Sequence, residues 1–188
     1  MTSEVAARRR SDAQRNHERV VAAALEVFAE KGMDATVPEI AARAGVGKAT
    51  VYRNYPTKAD LVAAVTLDRL AWLEERAGRA AQEDDAWTAL RSYMEDVFEH
   101  LKSDRVLSEA LRDQRSPDAE AARARCRVLH DSLLARGREQ GTVRTGVDAS
   151  DLRILLGGLA EQLHREGITD RSEWRRYAAL AVDALRAP

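Results

Sequence analysis

The chain has 188 residues, 32% of them charged, and a formal net charge of −1. That length holds one domain of ordinary size or a small domain joined to a larger one. No stretch reaches the apolar length of a membrane span, the N-terminus lacks the apolar core of a secretory signal, and a single cysteine excludes an intramolecular disulfide framework. A cytoplasmic protein without membrane contact is therefore expected.

The β-branched residues are scattered and never alternate, which predicts an all-α fold. Charge is unevenly divided. Residues 1–58 carry 10 Lys+Arg against 7 Asp+Glu, and residues 59–188 carry 20 against 24. A basic head on an acidic body is what a DNA-binding module joined to a regulatory body shows.

In chain order, residues 1–11 are polar and contain Arg8-Arg9-Arg10. They read as a disordered basic arm, either following phosphates or the minor groove or simply solvated. A first helix is predicted over 12–31, with Val21, Ala24, Leu25 and Phe28 on its apolar face and Gly32 ending it. Two short helices follow within 36–55. The fourth covers 58–80 with Leu61, Val65, Leu67, Leu70 and Leu73 in its stripe; the fifth covers 86–102 with Leu90, Tyr93, Met94, Val97, Phe98 and Leu101. A short sixth helix is expected near 106–112. Ser116-Pro117 opens the seventh, which Gly141 stops. The eighth and ninth lie within 149–186. Leu152, Leu155, Leu156, Leu159 and Leu163 form the seam of one, and Trp174, Tyr177, Ala178, Ala181 and Leu185 turn inward on the other.

The segment 36–58 carries the most chemistry. Thr36 and Glu39 have the spacing of a capping box, and Pro38 sits where a missing N–H costs nothing. Ile40, Ala41 and Ala44 share one face, and Gly45 takes the turn, where a positive φ is expected. Val46 and Val51 lock the second helix against the first. Lys48, Ala49, Thr50, Tyr52, Arg53 and Asn54 remain outward, with no carboxylate among them. Such a face gains phosphate contacts that an Asp or Glu would oppose. Thr57 caps the next helix with Lys58 in its first turn, a natural phosphate clamp. The whole reads as a helix-turn-helix whose second helix enters the major groove.

At these residues the chain resembles the TetR family of transcriptional regulators. Phe28-Ala29-Glu30-Lys31-Gly32 matches the end of the family's first helix. Residues 36–46 match Thr-x-x-x-Ile-Ala-x-x-Ala-Gly-Val, and 48–58 match Lys-x-Thr-x-Tyr-x-x-Tyr/Phe-x-x-Lys. The resemblance covers the first third of the chain. Gly47 stands where the family usually has Ser or Thr, which weakens a helix cap by only about a few tenths of a kcal/mol, and Asn54 replaces a frequent histidine. The resemblance implies a helix-turn-helix domain over 12–58 and a helical ligand-binding and dimerisation domain over 59–188. It places Lys48, Ala49, Thr50 and Tyr52 in or beside the groove, with Tyr52, Tyr55 and Lys58 toward phosphates and Thr36 at the edge of the surface. Arg53 reaches a phosphate or a base, or stays solvated.

The resemblance further implies a homodimer whose last two helices form a four-helix bundle with their copies, through Leu152, Leu155, Leu156, Leu159, Leu163, Trp174, Tyr177, Ala181 and Leu185. The alternative is that this seam packs within one chain. Gly157-Gly158 supports close helix approach, because two mid-helix glycines cost roughly 1 kcal/mol each. A small-molecule effector is implied inside the body, against Trp72, Tyr93, Met94, Phe98, Leu129, His130, Leu133 and Leu156; each of these is also ordinary core at helical spacing, and Trp87 and Cys126 are weaker candidates. Cys126 and His130 lie one turn apart, and Arg125 and Arg127 would favour a thiolate and a redox or metal-sensing role, but two ligands are too few for a metal site and a packed, inert thiol is the favoured reading. No cofactor, metal or catalytic residue is expected, since no metal-binding, nucleotide-loop or nucleophile pattern appears and His17, His100, His130 and His164 are dispersed. The reading is a ligand-responsive repressor of a pseudo-palindromic, double-stranded operator. The alternative is a DNA-binding regulator or architectural protein without an effector.

Overall fold

The computed structural model describes the backbone over residues 2–103 and 116–188, and side chains over 12–102 and 116–188. Among the described residues the regular structure is helical: α1 (Thr2–Lys31), α2 (Val37–Ala44), α3 (Lys48–Asn54), α4 (Lys58–Ala80), α5 (Ala86–Ser103), α6 (Pro117–Glu139), α7 (Ala149–Arg165) and α8 (Arg171–Asp183), with a 3-10 turn at Gly32–Asp34. The expected helix near 106–112 lies outside the described residues.

Local chemistry explains most boundaries. Thr36 and Glu39 make the full capping box at α2, and Gly45 ends that helix at φ 63°. Ser116 caps α6 with Pro117 in its first turn, and Asp148 and Asp170 cap α7 and α8 through backbone N–H groups. Two ends differ from expectation. Residues 2–11, expected as a disordered arm, continue α1; with no Gly or Pro between Thr2 and Lys31, nothing stops the helix from propagating backward. The last helix stops at Asp183 instead of reaching 186 because the following backbone pairs elsewhere. The amide of Arg144 donates to Leu185 O, and that of Ala187 to Thr142 O, both at 2.9 Å.

The chain divides into two compact units, residues up to Asp68 and from Arg69 onward. In the first, α1 packs on α2 and α2 on α3. Its buried side chains include Val20, Ala24, Val27, Phe28, Ile40, Ala41, Val51, Leu61 and Val65. In the second, α5 touches α6, α7 and α8. One apolar cluster fills it, built on Trp174, Tyr93, Phe98, Leu90, Met94 and Leu133, with Ala77 and Ala80 from the end of α4. Each large side chain taken out of water there stabilises the fold by about 1.5–3 kcal/mol.

Candidate nucleic-acid interface and body interior

The outward face of α3 follows from its brevity. Of its seven residues only Val51 is buried, so the other six project from the unit. Lys48, Ala49, Tyr52, Arg53 and Asn54 are exposed and Thr50 is half-buried. Tyr52, at 45% exposure, presents a large aromatic to solvent, where a phosphate or base edge can replace water. No acidic residue lies in the first turn of α3, and its Gly47 N-cap makes no side-chain bond. The surface is therefore a cationic and hydroxyl-bearing strip.

The residues flanking α3 are more engaged than the sequence suggested. Tyr55, expected toward phosphates, is instead buried at 7% exposure, and its hydroxyl lies 2.7 Å from His17 Nδ1. It is a support beneath the surface because α1 covers the exit of α3. Burial, followed by the Asp68 charge, raises its pKa, so the phenol is uncharged. The Lys58 ammonium donates to the carbonyl of Met33, which leaves two of its three N–H donors for other partners. Asp60 accepts from the amide of Thr57 at 2.9 Å and from its hydroxyl at 2.7 Å, so the N-terminus of α4 carries its own carboxylate. That Thr-x-x-Asp spacing was a readable capping signal. Thr36 is exposed, but its hydroxyl serves Glu39. The Lys31 ammonium and then Thr36 hold the Glu39 carboxyl down at about 2.

Ion pairs also brace α2 against α1 in the same unit. Arg43 donates to both oxygens of Glu30 at 2.9 Å and to Glu26 at 3.0 Å, and this bond with Arg43 lowers the Glu30 pKa. Arg19 donates to the carbonyl of Gly45 at 3.1 Å. The sequence held no spacing rule for either contact, since the partners lie 13–26 residues apart.

In the second unit the structure gathers the expected effector-lining residues into one interior. Tyr93, Met94, Phe98, Leu133 and Leu156 belong to the apolar cluster, with Trp72 and Leu129 packed against it. Tyr93 and His130 satisfy each other at 2.6 Å between the hydroxyl and Nε2. Burial lowers the His130 pKa to about 4 and raises that of Tyr93. A neutral imidazole then accepts the phenol proton's hydrogen bond. Trp72 stacks on His100 with ring centroids 4.0 Å apart, and Arg76 pairs with Asp96 at 2.5 Å. A groove of about 390 Å³ lies elsewhere, lined by Arg144, Asp151, Ile154, Leu155 and Leu185 among others, and none of the eight expected lining residues borders it.

The thiolate option at Cys126 fails in favour of a packed thiol, and the expected dimer seam is corrected. Burial, followed by the Glu74 charge, pushes the Cys126 thiol up to about 11 against the pull of Arg125 and Arg127, so no thiolate forms near neutral pH. Among the described residues no group of three His, Cys, Asp or Glu could hold a metal. The leucine seam assigned to a dimer interface is also largely internal: Leu152, Leu156, Leu163, Trp174, Ala181 and Leu185 are at most 6% exposed within the single chain. They face α5, and a side chain already buried cannot be buried again by a partner. Only Leu155, Leu159 and Tyr177 of that set stay half-buried. The outer face of the pair is carried by Ile154, Gly157 and Gly158 on α7 and by Tyr177 and Leu180 on α8. Ile154 is 57% and Leu180 52% exposed, and a Cβ added at either glycine would meet nothing within 4 Å.

Residues 20–65 match the model for bacterial regulatory proteins of the tetR family, and residues 85–187 match the model for the C-terminal domain of SbtR-like transcriptional regulators. A TetR transcription regulatory protein from Mycobacterium vanbaalenii, known as a crystal structure, is 32% identical with a TM-score of 0.71, over 95% of this chain and 99% of that one. The HTH-type transcriptional regulator SrpR of Pseudomonas putida is 25% identical over 94% of this chain and 86% of its own length. YvdT of Bacillus subtilis (strain 168), an uncharacterised HTH-type transcriptional regulator, is 32% identical over 84 residues; that match spans 44% of this chain and 43% of the relative. No helix among the described residues is long and apolar enough to cross a membrane.

Proposed function

The chain belongs to the TetR family of transcriptional regulators, and from that premise we propose that it is a homodimeric repressor released from a pseudo-palindromic operator by a small molecule. The observation that carries the DNA-binding part is the outer face of α3. Lys48, Ala49, Tyr52, Arg53 and Asn54 stand exposed on a seven-residue helix with a single buried side chain, and no carboxylate interrupts them. Lys48 and Tyr52 are assigned to phosphates, with Thr50 and Ala49 toward base edges and Arg53 free to take a bidentate guanine contact. Thr36, Asn54 and Lys58 complete the rim.

Two heads are needed because so short a helix reads few base pairs. A two-fold dimer presents α3 twice, about 34 Å apart along the duplex. Support for the dimer comes from Gly157 and Gly158. Each costs about 1 kcal/mol in a helix interior, and neither is required by any neighbour among the described residues. Close approach of a second copy against Ile154, Leu155, Leu159, Tyr177 and Leu180 offsets that cost.

The effector acts in the body interior around Tyr93 and His130, the polar pair within an apolar surround of Trp72, Met94, Phe98, Leu129, Leu133 and Leu156. Helix α4 contributes residues to both units, so a ligand packing against its 69–80 portion is linked through one helix to the residues that begin at Lys58. Release requires the ligand to favour the form whose head spacing mismatches DNA; equal affinity for both forms changes nothing.

The test is operator selection with the purified protein, repeated against a metabolite panel. A single two-fold sequence bound tightly and released by at least one compound is the expected result. Tyr52→Ala then loses operator binding while the protein stays folded and dimeric; normal binding by that variant would discredit the assigned surface.

A further inference from the structure

Helix α3 is two turns long with one buried side chain, so packing alone defines its roll and tilt poorly. Side chains of α1 hold the turn that leads into it and its C-terminal end. At the entrance, Arg19 donates to Gly45 O at 3.1 Å, the carbonyl of the left-handed turn residue. At the exit, Tyr55 is the C-cap residue of α3, and its amide donates to Val51 O. Its ring is buried, and its hydroxyl meets His17 Nδ1 at 2.7 Å across 38 residues of sequence. The two rings lie 6.3 Å apart, tilted by 40°. The pair is bonded in either imidazole tautomer, the hydroxyl donating to a bare Nδ1 or accepting from a protonated one.

We infer that His17 and Tyr55 form a positioning pair that sets the pose of α3 for the major groove, with Tyr55 acting through α1 and touching no phosphate. The inference rests on the DNA-binding reading of α3 and adds to it a determinant on a helix outside the recognition surface. Its physical content is a difference between two kinds of binding. A mis-posed α3 loses base-edge contacts, whose geometry is strict, while non-specific phosphate binding tolerates small rotations. An intramolecular bond that holds a helix end is worth about one factor of ten in the population of the correct pose. Tyr55 stays uncharged because burial raises its pKa, so no phenolate repels the backbone.

The experiment uses the full chain, its selected operator and an unrelated duplex, each titrated across a salt series. Tyr55→Phe and His17→Phe are expected to bind the operator about tenfold more weakly. Binding to the unrelated duplex, the salt slope and the melting temperature are expected to stay near wild type. His17→Gln, whose amide can bond the phenol, is expected to recover most of the loss. Unchanged operator affinity in both Phe variants overturns the inference. So does an equal loss on both duplexes, which marks a merely structural role or a sequence-independent hydrogen bond from the neutral phenol to a phosphate. Tyr55→Phe keeps the buried ring, so it tests the bond without emptying the core. A wild-type protein with no sequence preference would instead defeat the underlying DNA-binding reading.

Discussion

The α2–α3 segment and the α7–α8 pair both show apolar residues at helical spacing, but the spacing identified the exposed face only in the first. Helix α3 buries Val51 alone and half-buries Thr50, so the exposed face follows by elimination. Helices α7 and α8 carry two apolar faces. The denser one, through Leu152, Leu156, Leu163 and Trp174, closes on the chain's own α5; the sparser one, through Ile154, Gly157, Gly158 and Leu180, is left outside. An apolar stripe announces that a helix is buried, and the strongest stripe goes to the nearest partner, which is the same chain.

The sharpest way to break this comparison is to substitute one residue from each face. Leu152→Ala is expected to lower folding stability by about 3 kcal/mol, read by denaturant unfolding, with the surviving folded protein still dimeric. Ile154→Glu is expected to give a helical monomer in sedimentation. The reverse pair of outcomes would return the interface to the leucine seam.

A further prediction is a pH effect centred on His130 in the body. His130 has a folded-state pKa of about 4 against an ordinary value of 6.5. The unfolded chain therefore binds the proton more readily, and stability rises with pH between these values. The contribution is fully present above pH 6.5 and is lost as pH falls through about 4, by roughly 2–3 kcal/mol. Melting curves of wild type and His130→Gln between pH 7.5 and 4.5 check it, the variant showing a flatter dependence on acidification. A wild-type profile as flat as the variant's would mean that His130 is not held neutral by its surroundings.

The smallest effect belongs to the head. A Cβ at Gly47 would meet only Thr50 Oγ1, at 3.8 Å, an ordinary contact. Gly47→Ser supplies the missing cap of α3 and is expected to raise stability by about 0.3 kcal/mol, or about 1 °C in melting temperature. A drop would show that the extra side chain disturbs the turn.

Local rules made the head legible. The Thr36–Glu39 box, the left-handed Gly45 and the buried Val51 each depend on neighbours within a few residues, and each stands where the sequence placed it. Tyr55 was misread because the same spacing serves an exposed phosphate contact or a buried anchor, and His17 decides between them. At Cys126 the charged neighbours and the burial pull in opposite directions. Its flanking arginines are visible in the sequence, but the burial that outweighs them comes from another helix, where Leu70 O accepts from its thiol at 3.8 Å.

The sequence by itself determined the helical class, the caps, the turn and the carboxylate-free exposed face of α3, because each arises from interactions only a few residues long. The tertiary structure decided which apolar face of α7–α8 stays exposed, that Tyr93 and His130 satisfy one another, and that Tyr55 is buried against His17. Those outcomes depend on which distant group occupies the space beside each side chain. Burial and pairing across dozens of residues leave no periodic trace in the chain, so packing alone settles them.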